Sequence, residues 1–231
     1  MARTEIPSSH STYISKYYPN QNFWGEPYLY FGQYKQPGDL YRSLFKFSLS
    51  SLPHGAKINS AQVIFTIFRN EIQAGQAIFA DLQAPLSPWS EFSVTWNNQP
   101  FFSRINSFYL SPANAPGSSI AVDATSLVIN WQKGLLPNNG FIITGNEAYN
   151  SLIGIYKSFS APVENRVFHP HRPKMHKHHH GKKRHHHHHH HHHHHGGHTE
   201  PRVFVQNPPG SLHFVDSARI NAGPRLLVEY S

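Results

Sequence analysis

The histidine residues are the most concentrated chemical feature of the sequence, because fourteen of the 21 histidines occupy two short runs. Neutral imidazole nitrogens bind Zn²⁺, Ni²⁺ and Cu²⁺, and a run of them offers many interchangeable ligand sets. We therefore expect weak, pH-dependent binding of zinc, nickel or copper, with no cofactor required. The alternative is a solvated spacer without a metal role. The residues concerned are His178, His179, His180, His185, His186, His187, His188, His189, His190, His191, His192, His193, His194 and His195.

A second group of candidate residues consists of Trp89, Glu91, Trp96 and Asn97. Two indole rings could stack on sugar rings while the carboxylate and the amide bond sugar hydroxyls. In the alternative interpretation, both tryptophans fill the protein interior, and the two polar side chains bond loop backbone. The sequence leaves both interpretations open.

A third group, Tyr17, Tyr18 and Trp24, lies in a segment whose composition is typical of loops. Rings exposed on such a loop could stack on sugars or bury against a neighbouring subunit. Ordinary packing in the core is the third interpretation. The loop-forming residues around them are Pro19, Asn20, Asn22, Gly25 and Pro27.

Catalytic motifs are not recognisable in the sequence. It has no Gly-x-Ser-x-Gly elbow, no His-Glu-x-x-His zinc motif and no glycine-rich phosphate loop. The absence of cysteine removes disulfides, thiolate zinc ligands and thiol nucleophiles together. Asp123 is better explained as a helix cap than as a catalytic acid. We expect that the protein is not an enzyme, although a carboxylate pair among the remaining acidic residues stays open.

The basic character of the chain is confined to one segment. Residues 166–206 contain eight Lys and Arg residues against one Glu, whereas the rest of the chain has 12 basic and 11 acidic residues. The body of the protein is therefore nearly neutral, and we expect no specific nucleic-acid partner. No stretch approaches the roughly 20 apolar residues of a membrane helix, so we expect no membrane insertion.

Many short segments have the composition of β-strands, and Pro, Gly and Asn residues separate them. The pattern predicts an all-β protein, a jelly-roll-like antiparallel β-sandwich. Residues 61–68 are apolar on both faces and predict a central strand. The predicted strands are Tyr28–Phe31, Leu44–Leu49, Ala61–Phe68, Ala77–Leu82, Phe141–Thr144, Leu152–Tyr156, Leu212–Val215 and Arg225–Tyr230.

One short helix and one insertion interrupt this pattern. Residues 125–133 place Leu127, Val128 and Trp131 on one stripe, with Asp123 or Thr125 as the cap. Residues 166–206 are histidine-rich, basic and poor in apolar residues, so we expect a low-complexity loop that cannot form a core. The strand-like Val203–Val205 is its exception. We therefore predict one sandwich domain over 1–231, with the insertion at 166–206.

Several segments together resemble the signature of DNRLRE-type domains, which are related to disaggregatase-related and family 96 carbohydrate-binding modules. The resemblance implies a jelly-roll-like sandwich of secreted or cell-surface proteins that serves as an accessory, often glycan-binding, module. The matching segments are Tyr41–Pro53, Ile58–Ala61, Trp89–Glu91, Val94–Pro100, Val122–Thr125, Trp131, Gly134, Asn139–Phe141 and Pro224–Tyr230.

Together these observations predict a non-catalytic extracellular or cell- or spore-surface module that binds a polysaccharide or another surface polymer, or has a structural role. One alternative is a self-assembling subunit of a surface filament, matrix or spore coat, a homo-oligomer built by strand addition at a sheet edge. A metal-sequestering histidine-rich protein is another. The first residues have no apolar run of signal-peptide length, so export would require a leader removed earlier or another route.

Overall fold

The computed structural model describes residues 1–158 and 222–231, which form eleven strands and one α-helix. The predicted all-β class with one short helix is confirmed, whereas the jelly-roll arrangement stays a prediction. The elements are β1 Ala2–Pro7, β2 His10–Ser15, β3 Tyr28–Gln33, β4 Leu40–Lys46, β5 Ile58–Asn70, β6 Ile78–Pro85, β7 Phe102–Leu110, β8 Ser119–Asp123, α1 Thr125–Gln132, β9 Phe141–Thr144, β10 Ile153–Tyr156 and β11 Arg225–Tyr230.

The strands form one curled antiparallel sheet. Its strand order is β1-β11-β5-β10-β3-β4-β9-β6-β7, and β2 and β8 pair with β4 and β5 respectively. The ring centroids of Phe65 in β5 and Phe108 in β7 lie 5.6 Å apart, although five strands separate β5 from β7 in this order. Phe31 of β3 contacts both rings. Distant parts of the sheet therefore face each other across a shared inner core.

The inner core consists mainly of aromatic and β-branched side chains. Phe31, Phe45, Phe65 and Phe141 are completely buried in it, and burial of each phenylalanine contributes about 1.5–3 kcal/mol. Helix α1 adds a buried stripe, as predicted, and Trp131 packs 4.9 Å from the ring of Phe141.

The start of the helix differs from the predicted cap. Ala124 occupies the N-cap position and provides no side-chain acceptor. Asp123 instead accepts hydrogen bonds from the backbone N–H and the hydroxyl of Thr125, at 3.4 and 2.5 Å. Both predicted residues therefore take part in the helix start, but neither is the capping residue itself. Gly134, with φ +68°, follows the helix as predicted.

A second, smaller core lies on the opposite face of the sheet. Ile14, Leu44 and Ile142 project there from β2, β4 and β9, and Trp89 and Val94 cover them. Both covering residues belong to loop 86–101, which connects β6 to β7. We call this cluster the outer core. Strands β4 and β9 are thus buried on both faces, which explains the unbroken apolar run of β9.

The strand predictions agree best where both faces are buried. Phe141–Thr144 and Arg225–Tyr230 are exact, and Ala61–Phe68 lies within β5. Residues 44–49 were placed wrongly, because β4 begins at Leu40 and ends at Lys46, and Leu49–Ser51 form a 3₁₀ turn. Strands β1, β2, β7 and β8 were not among the predicted strands. The predicted strand Leu212–Val215, Val203–Val205 and the 166–206 insertion lie outside the described residues.

In the part of the chain that the structure describes, no helix is long and apolar enough to span a membrane.

Gly140 and Gly75 provide a matched test of the close contact between β9 and β4. Both glycines have left-handed φ angles, 79° and 80°. A Cβ atom on Gly140 would lie 2.4 Å from the carbonyl oxygen of Phe45, whereas Gly75 has no atom within 4 Å of that position. Gly75→Ala should therefore cost only the backbone strain, about 1–2 kcal/mol. Gly140→Ala should cost clearly more, measured as the free energy of unfolding in urea. Equal losses of unfolding free energy in the two variants would show that the close contact between residue 140 and Phe45 does not affect stability.

Candidate functional site

The seven residues predicted from the sequence for ligand binding lie on two neighbouring loops. Tyr17, Tyr18 and Trp24 lie on loop 16–27, which connects β2 to β3, and the other four lie on loop 86–101. The four residues on loop 86–101 are Trp89, Glu91, Trp96 and Asn97. Two separate sequence regions therefore meet at one surface.

Asn22 joins the two loops. Its Nδ2 donates to the carbonyl oxygens of Glu91 and Val94, at 2.9 and 2.7 Å. Its Oδ1 accepts from the backbone N–H of Trp24 at 3.1 Å. A single side chain thus fixes both loops. In the sequence, Asn22 is recognisable only as a loop-forming residue, because its partners lie about 70 positions away.

Asn97 forms a second link between the loops. Its backbone N–H donates to the carbonyl oxygen of Pro19 at 3.1 Å, and its Nδ2 donates to Oδ1 of Asn20 at 2.8 Å. Bonds at residues 91, 94 and 97 of loop 86–101 therefore hold loop 16–27 in place, and the two loops form one surface.

Trp89 is an anchor of the outer core. Its side chain is only 8% exposed, and its Nε1 donates to the carbonyl oxygen of Asn139 at 2.8 Å. The ammonium group of Lys46 lies 4.5 Å from its ring centroid and donates to its carbonyl oxygen. Burial in this contact lowers the pKa of Lys46. The packing interpretation thus describes Trp89, although Trp89 covers the outer face of the sheet rather than filling the inner core.

Trp96 packs against Arg42, a residue that no sequence pattern singles out as part of the site. The guanidinium of Arg42 lies 4.3 Å from a ring centroid of Trp96 and 5.2 Å from that of Phe102. Arg42 also donates two hydrogen bonds to the carboxylate of Glu147, at 2.9 and 3.1 Å, and one to Gln99 Oε1 at 2.9 Å. One face of Trp96 is therefore occupied by the protein itself.

The carboxylate of Glu91 bonds the backbone of β2. Its Oε2 accepts from the N–H of Ser11 at 2.9 Å. In the strand pairing that the structure describes, β2 pairs only with β4, so this N–H belongs to the other edge of the strand. Glu91 thus satisfies an edge donor that would otherwise need water.

Four aromatic side chains remain presented to solvent on these loops. Tyr17, Tyr18, Trp24 and Phe92 are between 40% and 55% exposed. They form two edge-to-face pairs: Tyr17 with Tyr18 at 4.9 Å, and Trp24 with Phe92 at 5.3 Å. Phe92 was missed, because nothing in the sequence separates an exposed phenylalanine from a buried one. We call these four rings, with Asn20 and Asn97, the two-loop surface.

The two-loop surface has the chemistry of sugar recognition. Exposed ring faces can stack on the C–H faces of sugars, and amides can bond hydroxyls. Shallow hollows accompany the rings, one along residues 17–21 and another beside Pro88, Ser93 and Asn98. Within the described ranges, no group of three or more His, Cys, Asp or Glu residues could hold a metal ion. The predicted histidine ligands lie outside those ranges.

Comparison with known proteins agrees with this chemistry. The sequence model of carbohydrate-binding module family 96 matches residues 2–163, which is more than half of the chain. No curated protein gives a significant match. The resemblance to family 96 drawn from the sequence is confirmed, and the link to DNRLRE-type domains stays a prediction.

The Arg42 contacts predict a specific loss of order in loop 86–101. Arg42→Lys keeps the charge but removes the two-pronged bond to Glu147 and the flat contact with Trp96. We expect a loss of about 1–3 kcal/mol in the free energy of unfolding and faster hydrogen exchange of amides 96–101. Arg104→Lys, at an exposed arginine of β7, is the control and should change neither. Unchanged exchange in Arg42→Lys would mean that Arg42 does not hold the loop.

Proposed function

Because this chain belongs to carbohydrate-binding module family 96, we propose that it is a non-catalytic module that binds a polysaccharide through the two-loop surface. Extracellular or cell-surface location is part of the proposal, since polymers of this kind occur there. The curled sheet with its shared inner core supports a jelly-roll-like sandwich as the scaffold. The filament or coat subunit stays an alternative prediction.

The observation that carries the proposal is that exposed rings sit on loops fixed from beneath. The outer core, the Arg42 contacts and the bonds of Asn22 and Asn97 hold both loops in one arrangement. Ordering flexible side chains on binding costs about 0.5–1.5 kcal/mol for each side chain. A surface whose loops are already ordered avoids part of that cost, so its rings can contribute more of their stacking energy to affinity.

The amides of Asn20 and Asn97 complement the rings. Each uses one polar atom to bond the other, Asn20 Oδ1 and Asn97 Nδ2. Among the described residues, Asn20 Nδ2 and Asn97 Oδ1 have no hydrogen-bond partner. One free donor and one free acceptor thus lie beside each other. A sugar hydroxyl both donates and accepts, so this pair suits it.

Loss of the exposed rings should weaken polysaccharide binding without unfolding the protein. A Tyr17→Ser, Tyr18→Ser, Trp24→Ser variant removes rings that are about half exposed and lie outside both cores, so the free energy of unfolding should fall only modestly and circular dichroism should show the same fold. We expect at least a tenfold loss of affinity, since aromatic contacts are each worth about 0.5–1.5 kcal/mol. The measurement is affinity electrophoresis on a panel of neutral, amino-sugar and uronic-acid polysaccharides.

The matched control for this test is Leu135→Ser, which removes an exposed apolar side chain just after α1. It should bind as the unmodified protein does. If the unmodified protein is retained by no polysaccharide of the panel, the proposed function is wrong. If the triple variant binds as well as the control, the binding surface is elsewhere.

We also propose that the histidine runs bind Zn²⁺, Ni²⁺ or Cu²⁺, on the basis of their composition. Deletion of residues 166–206 removes 18 of the 21 histidines. Zinc affinity should fall sharply in the deletion variant, while circular dichroism shows the same β-rich fold. In the full chain, zinc affinity should fall as the pH is lowered from 7.5 to 6, because protonated imidazole cannot bind metal. Retained zinc affinity would place the metal site elsewhere, and an unfolded variant would assign Val203–Val205 to the core.

A further inference from the structure

One part of the outer face of the sheet is not covered by loop 86–101. Strand pairing aligns Arg42, Thr144, Asp81 and Ser107 in one row across β4, β9, β6 and β7. Thr144 is buried, Asp81 is half-buried, and Ser107 is exposed. Coverage by the loop therefore ends at β6, and the outer face of the hairpin formed by β6 and β7 is open to solvent.

Two aromatic rings lie on this open face. Phe79 and Tyr109 are directly opposite each other in the β6–β7 register, with their ring centroids 5.8 Å apart. They are 69% and 57% exposed, more than any aromatic residue of the two-loop surface. A cross-strand aromatic pair stabilises a hairpin by roughly 0.2–1 kcal/mol. This stabilisation explains why the two rings are paired. More than half of the surface of each residue is still exposed and available to a ligand.

Polar groups accompany the rings on the same face. Ser107 lies two residues before Tyr109 in β7 and is therefore on the same face of the sheet. Its hydroxyl donates to Oδ1 of Asp81 at 2.5 Å. The exposed Arg104 is on this face as well, since it pairs with Gln83 beyond a bulge in β7. Phe79, Asp81, Arg104, Ser107 and Tyr109 therefore form a flat strip, which we call the hairpin strip, with ring faces beside hydrogen-bonding groups.

We propose that the hairpin strip is a second carbohydrate-contact site, which binds a further segment of the same polysaccharide chain as the two-loop surface. The inference rests on the proposed function. Strand β7 lies four strand positions from β2, whose end leads into Tyr17. At about 4.8 Å for each position, the separation measured along the curled sheet is about 19 Å. An extended polymer can therefore reach both sites, whereas a single terminal sugar cannot.

Two contact sites on one rigid face favour long ligands. Once the polymer is held at the two-loop surface, its contact with the hairpin strip becomes intramolecular, and its effective concentration is high. The affinity for a long chain should therefore exceed the affinity for a short oligosaccharide of the same sugar. If the two-loop surface were the single contact site, the affinity would rise less as the polysaccharide chain becomes longer.

The test compares a polymer with its short oligosaccharide by isothermal titration. The Phe79→Thr, Tyr109→Thr variant keeps strand-forming residues on both strands, and its fold is checked by circular dichroism. We expect its polymer affinity to fall at least tenfold while its oligosaccharide affinity stays within twofold of the unmodified protein. Phe101→Thr, which removes an even more exposed ring at the other end of the hairpin, should change neither affinity.

A second variant tests the polar half of the strip. Asp81→Asn preserves the size of the side chain and removes its charge, and the affinity of this variant for the polymer should fall by several-fold.

If the Phe79, Tyr109 variant binds the polymer as the unmodified protein does, the inference is overturned while the proposed function stands. If the unmodified protein binds neither polymer nor oligosaccharide, the proposed function fails, and the inference fails with it.

Discussion

The arrangement of this protein depends on the need to cover the sheet on both faces. Strand β4 sends Phe45 into the inner core and Leu44 to the opposite face, and β9 does the same with Phe141 and Ile142. Side chains of this size each contribute about 1.5–3 kcal/mol when they are removed from water. Loop 86–101 provides the cover with Trp89 and Val94. The position of the loop is therefore set by burial of apolar surface.

The polar contacts of the loops act within this apolar arrangement. The bonds from Ser11 to Glu91, from Asn22 to Glu91 and Val94, and from Arg42 to Gln99 join loop 86–101 to β2, loop 16–27 and β4. Glu147 in turn holds Arg42 in place. Each is a modest contribution in a partly exposed environment. Together they fix the backbone direction, so the apolar anchors determine where the loop lies and the hydrogen bonds determine how it is oriented.

Sequence patterns predicted best the strands that contain several consecutive apolar residues. Residues 141–143 and 226–228 are such runs, and the predicted limits of β9 and β11 were exact. Strand β2 was missed although five of its six residues are buried, because serine and threonine occupy three of its positions. Strand β7 was missed because a bulge interrupts its alternation, and β1 because Arg3, Glu5 and Pro7 give it a loop-like composition. Local composition cannot reveal a strand whose stability depends on its partners.

The candidate site shows the same limit. The sequence selected candidate residues in both loops, but it did not show that the loops meet, and it left open that Trp89 is an anchor while Trp24 is exposed. Arg42 and Asn22 were not selected, since their partners lie 57 to 105 and about 70 positions away. Burial and long-range pairing are properties of the folded chain, and they decide which members of a motif are available to a ligand.

The distribution of charge separates the two chemistries of the chain. Outside residues 166–206, the 12 basic and 11 acidic residues nearly cancel, so long-range attraction to a charged polymer is weak. In the proposed function, recognition by the two-loop surface therefore relies on contact, through ring stacking and short hydrogen bonds, which salt screens little. The histidine-rich segment of the sequence differs in its response to pH, because its charge, and with it the metal affinity proposed above, changes with imidazole protonation near pH 6. A change in pH near 6 would therefore change the charge of the histidine-rich segment, while the contacts of the two-loop surface would stay largely the same.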